Sequence, residues 1–212
     1  MKPLLTILFL TLIVVPRHGL AWGGKPHQTI TKAAVRVLPA WQQGRLGDEL
    51  AKLADSYCLI PDQVHTDKEN APFARMESRP GQVYLVNLHL PAQQPQNLEM
   101  LGYFVGKAVE AIKAHKIQDA ARFMGTVGHM LEDYGCPAHA VLGDNMFTLF
   151  QQFLPPAENM KGKLLHGPIE NGEFDLGIEG YQPSLLGTTV DEAAWRLLHR
   201  ANEATINARS TI

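Results

Sequence analysis

The sequence has little excess charge of either sign and no long run of like charges. Its 212 residues carry 19 basic and 21 acidic side chains, for a formal net charge of -2. Proteins that bind nucleic acid mainly through counterion release need a basic surface. The composition indicates no such surface, and charge alone identifies no partner.

The hydrophobic run near the N terminus is too short for a membrane span, which needs about 20 apolar residues. It extends from Leu4 to Val15, follows Lys2 and precedes the small residues before Trp22. This order is typical of a signal peptide. We expect residues 1–21 to be removed, residues 22–212 to form the mature chain, and the protein to be secreted or periplasmic. A transmembrane anchor is the weaker alternative.

Cysteine is scarce, with only Cys58 and Cys136 in the chain. Export would bring both into an oxidising compartment. A disulfide between them would close a long loop and add about 4–5 kcal/mol of stability. Two separate buried thiols are the alternative, and the sequence does not decide between them.

Helical periodicity dominates the mature chain, and 45% hydrophobic content is enough for one core. Residues 61–91 are rich in proline, asparagine and aspartate and predict a loop, with one extended piece at Gln82–Leu88. The sequence therefore predicts an all-α, single-domain helical bundle with long loops. The expected helices are Thr29–Trp41, 48–58, Asn97–Lys116, Gln118–Tyr134, 141–153 and a last one opened by the capping box Thr189–Glu192.

The segment GHMLEDYGCPAHA, residues 128–140, places two imidazoles and a carboxylate around a predicted helix end. His129 and Asp133 are four residues apart, share a helix face and could hold one cation between them. Such a pair is more often solvated or part of a helix cap. Gly135 and Pro137 end the helix, however, and the chain can then return His139 toward the same pocket.

Two other segments have a similar ligand chemistry. In LLHGPIENGEF, His166 and Glu170 repeat the four-residue spacing. At the expected cleavage point, Trp22 would gain a free amine that can bind a metal together with its own carbonyl. His27 lies five residues further on, after two glycines that permit close approach of the backbone.

In order and spacing, the motifs WGGKPH, HMLEDYGCPAH and HGPIE resemble those of the zinc-dependent phospholipase C and S1/P1 nuclease superfamily. The resemblance further suggests Asp62 in LIPD and His89 in YLVNLHLP. His65 is a competing imidazole, and Asp55 and Asp67 are competing carboxylates. The implied metal ligands are Trp22, His27, Asp62, His89, His129, Asp133, His139, His166 and Glu170.

The resemblance implies a cluster of about three Zn²⁺ ions, at about three protein ligands for each ion. Asp133 would bridge two of them. The first ion would take Trp22, His27 and Asp133, and the third would take His139, His166 and Glu170. The second would be held by Asp62, His89, His129 and Asp133, with Asp62 as the implied catalytic residue that orients or deprotonates the attacking water.

The resemblance therefore implies an exported zinc-dependent phosphoric diester hydrolase. Glu170 in the last ligand position and the low cysteine count favour a phospholipase C-like enzyme over an S1/P1-type nuclease that acts on single-stranded nucleic acid. The expected partners are a phospholipid or other phosphodiester and, transiently, a membrane surface, with the chain as a monomer. A secreted zinc-binding protein without catalysis is the alternative of another class.

The remaining polar candidates have no predicted role. Glu132 is expected to be solvated. His115 and His199 are expected on helix faces without a partner at ligand spacing.

Overall fold

The computed structural model describes residues 23–79, 82–85, 95–136 and 176–210. The expected signal peptide and the expected helix 141–153 lie outside this part of the chain. Helices predominate in the described residues, so the all-α prediction is confirmed. None of the helices in these ranges is both long and apolar enough to cross a membrane. The helices are α1 (Gly24–Arg36), α2 (Ala40–Leu46), α3 (Glu49–Asp55), α4 (Pro95–Lys113), α5 (Ile117–Tyr134) and α6 (Val190–Ser210).

The first predicted helix is wrong at both ends. Helix α1 begins at Gly24, since Pro26 lies in its first turn, where a missing N–H breaks no hydrogen bond. It ends at Arg36, and Pro39 then caps a separate helix α2. A proline disfavours helical backbone in the preceding residue, so one continuous helix through Trp41 cannot form.

Helix α5 is the central element, because it packs against all the other helices of the described part. The predicted range of α5 was nearly correct. The preceding helix, α4, ends three residues before the predicted Lys116, and His115 after it has a positive φ of 59°. Small residues let neighbouring segments approach α5 closely. The buried residues of α5 are Ala120, Ala121, Gly125, Thr126, His129, Met130, Asp133 and Tyr134.

A short antiparallel hairpin lies between α3 and α4. Strand β1 (Arg75–Arg79) pairs with β2 (Gln82–Leu85), with Met76 opposite Tyr84. The sequence predicted an extended piece at Gln82 but not its partner β1. Met76 is buried, so this strand contributes to the core that lies beside α4.

Helix α6 begins with a modified capping box. The backbone N–H of Glu192 donates to Thr189 Oγ1 at 3.1 Å, as predicted. The Glu192 carboxylate accepts from the backbone N–H of Thr188, at 3.0 Å, one residue earlier than in the standard motif. Helical spacing in the sequence predicts a buried face made of Ala193, Ala194, Leu197, Leu198 and Ala201. Ala194, Leu197, Leu198 and Ala201 are buried, whereas Ala193 is half-buried.

Candidate metal centre

Four of the predicted ligands meet at the contact between α1 and α5. His27 lies in the first turn of α1, and His129 and Asp133 are one turn apart on α5. Asp62 follows the 3₁₀ turn Tyr57–Leu59. The side chains of His27 and His129 are fully buried, that of Asp133 is 1% exposed and that of Asp62 is 7% exposed.

Asp133 directs one carboxylate oxygen to each histidine. Its Oδ2 lies 3.4 Å from His129 Nε2, and its Oδ1 lies 3.6 Å from His27 Nε2. Asp62 Oδ1 lies 3.5 Å from His129 Nε2. These separations are longer than the roughly 2.7–2.9 Å of a charge-assisted hydrogen bond.

Five buried polar atoms at this point have no hydrogen-bond partner among the described residues. They are His27 Nε2, His129 Nε2, Asp62 Oδ1 and both carboxylate oxygens of Asp133. Leaving one such atom unsatisfied costs about 1–3 kcal/mol, so this concentration calls for a missing partner. A cation that accepts lone pairs from all of them would satisfy the whole group.

The spacing also fits a metal. Two ligand atoms about 2.0–2.2 Å from a tetrahedral zinc are about 3.3–3.6 Å from each other. The three nitrogen–oxygen distances in this cluster, 3.4, 3.5 and 3.6 Å, fall in that range. His27, Asp62 and His129 offer ligand atoms within 4.8 Å of one another and form a group that could hold a metal ion.

Hydrogen bonds fix which nitrogen of each histidine is available. His129 Nδ1–H donates to the backbone carbonyl of Cys58 at 2.6 Å. His27 Nδ1–H donates to Glu132 Oε2 at 2.5 Å. A neutral imidazole carries one proton, so these bonds leave both Nε2 atoms with a lone pair for a metal.

Glu132 corrects a sequence prediction. It was expected to be solvated, but its side chain is only 7% exposed and contacts two residues of α1. Oε2 accepts from His27, and Oε1 accepts from Thr31 Oγ1 at 2.7 Å. The sequence did not indicate that Glu132 belongs to the site, because it is adjacent to Asp133 and adjacent residues of a helix do not share a face.

The electrostatics of the cluster favour a positive charge. Burial, the largest single influence, lowers the pKa of His129, but the attraction of Asp133 and Asp62 outweighs it and holds that pKa well above its usual range. A cation at His129 Nε2, either a proton or a metal ion that replaces it, offsets part of the carboxylate charge. Metal binding at such a site releases protons.

A close backbone approach places the Cys58 carbonyl beside His129. A Cβ on Gly125, one turn before His129 on α5, would lie 2.4 Å from the carbonyl oxygen of Tyr57. Only glycine therefore allows the 3₁₀ turn Tyr57–Leu59 to lie this close to α5. The next residue of α5, Thr126, contacts a different segment: its Oγ1 donates to the backbone carbonyl of Phe73 at 2.9 Å, in the 3₁₀ turn Ala71–Ala74.

The structure distinguishes Asp62 from the competing carboxylates. Asp55 is exposed and forms an ion pair with Lys32 at 2.9 Å. Asp67 accepts hydrogen bonds from the backbone N–H groups of Glu69 and Asn70. Asp62 alone of these three joins the buried cluster.

The competing and unassigned histidines lie on the surface. His65 and His115 are exposed. His199 is 74% exposed, and its Nδ1 lies 3.5 Å from Glu203, a partner at four-residue spacing that was not predicted. These positions do not contribute to the buried cluster.

No disulfide joins the two cysteines. Cys58 and Cys136 are both buried thiols, which decides the open alternative in favour of separate thiols. Burial raises the pKa of the Cys58 thiol to about 12. The contribution of Cys58 to the site is its backbone carbonyl, which accepts from His129.

The other five predicted ligands lie outside the described residues: Trp22, His89, His139, His166 and Glu170. The chain matches no protein-family model, no curated protein and no solved structure.

Proposed function

We propose that the protein is an exported zinc-dependent phosphodiesterase, phospholipase C-like, that hydrolyses a phosphodiester with activated water. The observation that carries the proposal is the convergence of five buried ligand atoms from His27, Asp62, His129 and Asp133 that have no hydrogen-bond partner in the described part of the chain. Two histidines and two carboxylates form a donor set suited to zinc.

The ligands would divide between two ions according to which carboxylate oxygen of Asp133 they lie near. Its Oδ1 faces His27, and its Oδ2 faces His129, which in turn lies near Asp62. This arrangement supports the expected role of Asp133 as a bridge between two of about three ions. The motifs outside the described residues would complete the ligand set with Trp22, His89, His139, His166 and Glu170.

Zinc, when bound, supplies a Lewis acid that offsets phosphoryl charge and lowers the pKa of water to about 7. The chain's own residues prepare the site for this chemistry. His27 and His129 are held in one tautomer with Nε2 directed at the carboxylates. Asp62 is the most exposed of the four side chains, so it is the carboxylate best placed to orient an attacking water and accept its proton.

The choice of phosphodiester depends on features of the sequence. Glu170 in the last ligand position resembles the phospholipase branch. The S1/P1-like branch is richer in disulfides, whereas Cys58 and Cys136 are thiols. We therefore favour a phospholipid substrate, reached by transient contact with a membrane surface, over single-stranded nucleic acid.

The experiment combines a metal count with two assays. The mature protein is purified, its N terminus is sequenced and its zinc is measured by mass spectrometry. It is then assayed on p-nitrophenyl phosphocholine and on single-stranded DNA. His129→Ala should lose zinc and turnover, and His199→Ala, an exposed histidine on α6, serves as the matched control.

The outcomes separate the candidate functions. Hydrolysis of the phosphocholine ester supports the proposal, and hydrolysis of DNA alone would assign the nuclease function. A fully loaded protein that turns over neither substrate would indicate a zinc-binding protein without catalysis. Full zinc content in the His129→Ala variant would contradict the metal centre itself.

A further inference from the structure

Glu132 contacts His27 at Nδ1, whereas the other ring nitrogen, Nε2, faces the carboxylate of Asp133. The two carboxylate oxygens of Glu132 are both engaged by α1: Oε2 accepts from His27 Nδ1 and Oε1 accepts from Thr31 Oγ1. His27 and Thr31 are four residues apart, so they lie on the same face of α1. One carboxylate of α5 thus holds two successive turns of α1.

His27 lies between adjacent carboxylates of α5. Glu132 is 2.5 Å from Nδ1, a hydrogen-bond distance, whereas Asp133 is 3.6 Å from Nε2. The Nδ1 atom therefore has a close partner, whereas Nε2 has no hydrogen-bond partner within the ranges that the structure describes. This asymmetry decides where the imidazole proton resides.

We propose that Glu132 is a positioning residue that holds His27 in the Nδ1–H tautomer, with the Nε2 lone pair directed into the cluster. The inference rests on the proposed zinc function for its purpose, but the tautomer itself is a property of the metal-free chain. An anionic partner also raises the basicity of the opposite nitrogen. Glu132 would strengthen His27 as a ligand without touching the metal.

A structural role alone would give a different result. If Glu132 only joined α1 to α5, removing its bond to Thr31 would weaken metal binding as much as removing its bond to His27. The positioning role predicts that only the His27 bond affects the metal. Thr31→Val, which keeps the side-chain shape and removes the hydroxyl, separates the two.

The first measurement is made on the metal-free protein. Long-range ¹H–¹⁵N NMR reports which ring nitrogen of His27 carries the proton. The wild type should show the Nδ1–H form, and Glu132→Ala should shift the population toward Nε2–H. Thr31→Val should keep the wild-type form. An unchanged tautomer in Glu132→Ala overturns the proposal.

The second measurement is zinc affinity by competition with a chromophoric chelator, together with the visible spectrum of the Co²⁺ form. Loss of a carboxylate behind a histidine ligand typically lowers metal affinity about 10- to 100-fold. We expect that loss for Glu132→Ala and an altered Co²⁺ spectrum. Glu132→Gln, whose amide oxygen can still accept from Nδ1–H, should have a zinc affinity between those of Glu132→Ala and the wild type. This variant also provides the test if Glu132→Ala fails to fold.

The control is Glu110→Gln, since Glu110 is exposed on α4 and pairs with Lys107. Zinc affinity of Glu132→Ala equal to that of this control would overturn the proposal, as would an equal loss in Thr31→Val. If the wild type itself binds no zinc, the proposed function fails, and the tautomer measurement still decides the role of Glu132.

Discussion

The imidazole ring of His27 stacks on that of His129, with ring centroids 3.8 Å apart and ring planes inclined by 15°. The two residues are far apart in sequence and belong to α1 and α5. Each ring is anchored at Nδ1 by a different acceptor, Glu132 or Cys58. The stack therefore brings both Nε2 atoms to the carboxylate of Asp133, and it places the candidate metal centre at the contact of these helices.

A glycine on α5 should be essential for this geometry. Gly125→Ala puts a methyl group where the Tyr57 carbonyl lies, so the turn Tyr57–Leu59 must move. That movement would carry the Cys58 carbonyl away from His129 and weaken their hydrogen bond. We expect a loss of about 1–3 kcal/mol in unfolding free energy and weaker zinc binding. Denaturant unfolding and zinc titration measure the two effects.

Gly128→Ala is the control for that variant. Gly128 lies on the same helix, and a Cβ there meets nothing within 4 Å in the described residues. Alanine is favoured over glycine within a helix by about 0.5–1 kcal/mol, so this variant should be as stable as the wild type or more so. Equal behaviour of the two variants would contradict the close approach at Gly125.

Zinc should stabilise the fold, and Asp133 should be required for the effect. At a free zinc concentration of 100 times the dissociation constant, binding adds about 2.7 kcal/mol. For a domain of this size the melting temperature should rise by about 5–10 °C. The rise should be reversed by a chelator and largely lost in Asp133→Asn.

The matched control is Asp119→Asn, a partly exposed aspartate in the first turn of the same helix. It should keep the zinc-dependent rise in melting temperature. An unchanged melting temperature of the wild type after verified zinc removal would argue against a cluster whose binding energy supports the fold.

An extra residue ahead of Trp22 tests the N-terminal ligand. If the amine of Trp22 binds zinc, one added residue displaces it and should lower zinc content and activity. The comparison is a chain that starts at Trp22, confirmed by N-terminal sequencing. Full metal loading of the extended chain would refute this ligand.

The cysteines should remain thiols even in protein recovered from an oxidising compartment. Cys58 is buried, its thiol donates to the Ala54 carbonyl at 3.3 Å, and its pKa is raised to about 12. Because the thiolate is the reactive form, labelling of the folded protein should be slow. Denaturation without reductant should expose two thiols for each chain, and fewer would indicate a disulfide that the structure does not contain.

The cap of α6 should depend on pH. A hydrogen bond from the Thr188 backbone N–H, with Arg196 nearby, lowers the pKa of Glu192 below its ordinary value of 4.5. The resulting stability is present above that ordinary value and is lost as the pH falls through the lowered pKa of the folded state. Glu192→Gln should therefore melt below the wild type at pH 7, and the difference should vanish at low pH.

Glu203→Gln, later on the same helix, controls for the removal of one surface carboxylate. Thermal melts of all three proteins at pH 7, 5 and 3 test the prediction. A Glu192→Gln difference that persists unchanged at the lowest pH would show that the carboxylate charge is not responsible.

Periodicity predicted α4, α5 and the buried side of α6, because each has an apolar stripe that a single chain segment can reveal. It failed at Pro39, where local backbone restriction ended a helix that the hydrophobic pattern continued. Strand β1 was missed because a short strand acquires its structure from its partner β2. For the metal centre, His129, Asp133 and His27 were candidates from the residues and their spacing, whereas Asp62 was implied by the resemblance.

The sequence by itself determined the helical class of the fold and the chemical identity of the ligand candidates, since these depend on residue type and local spacing. Only the tertiary structure decided that Asp62, and not Asp55 or Asp67, joins the histidines, and that Glu132 lies behind His27. Those choices depend on how closely α1 and the turn Tyr57–Leu59 approach α5, the turn doing so at Gly125. Such distances arise from packing between segments far apart in the chain, and local sequence patterns contain no measure of them.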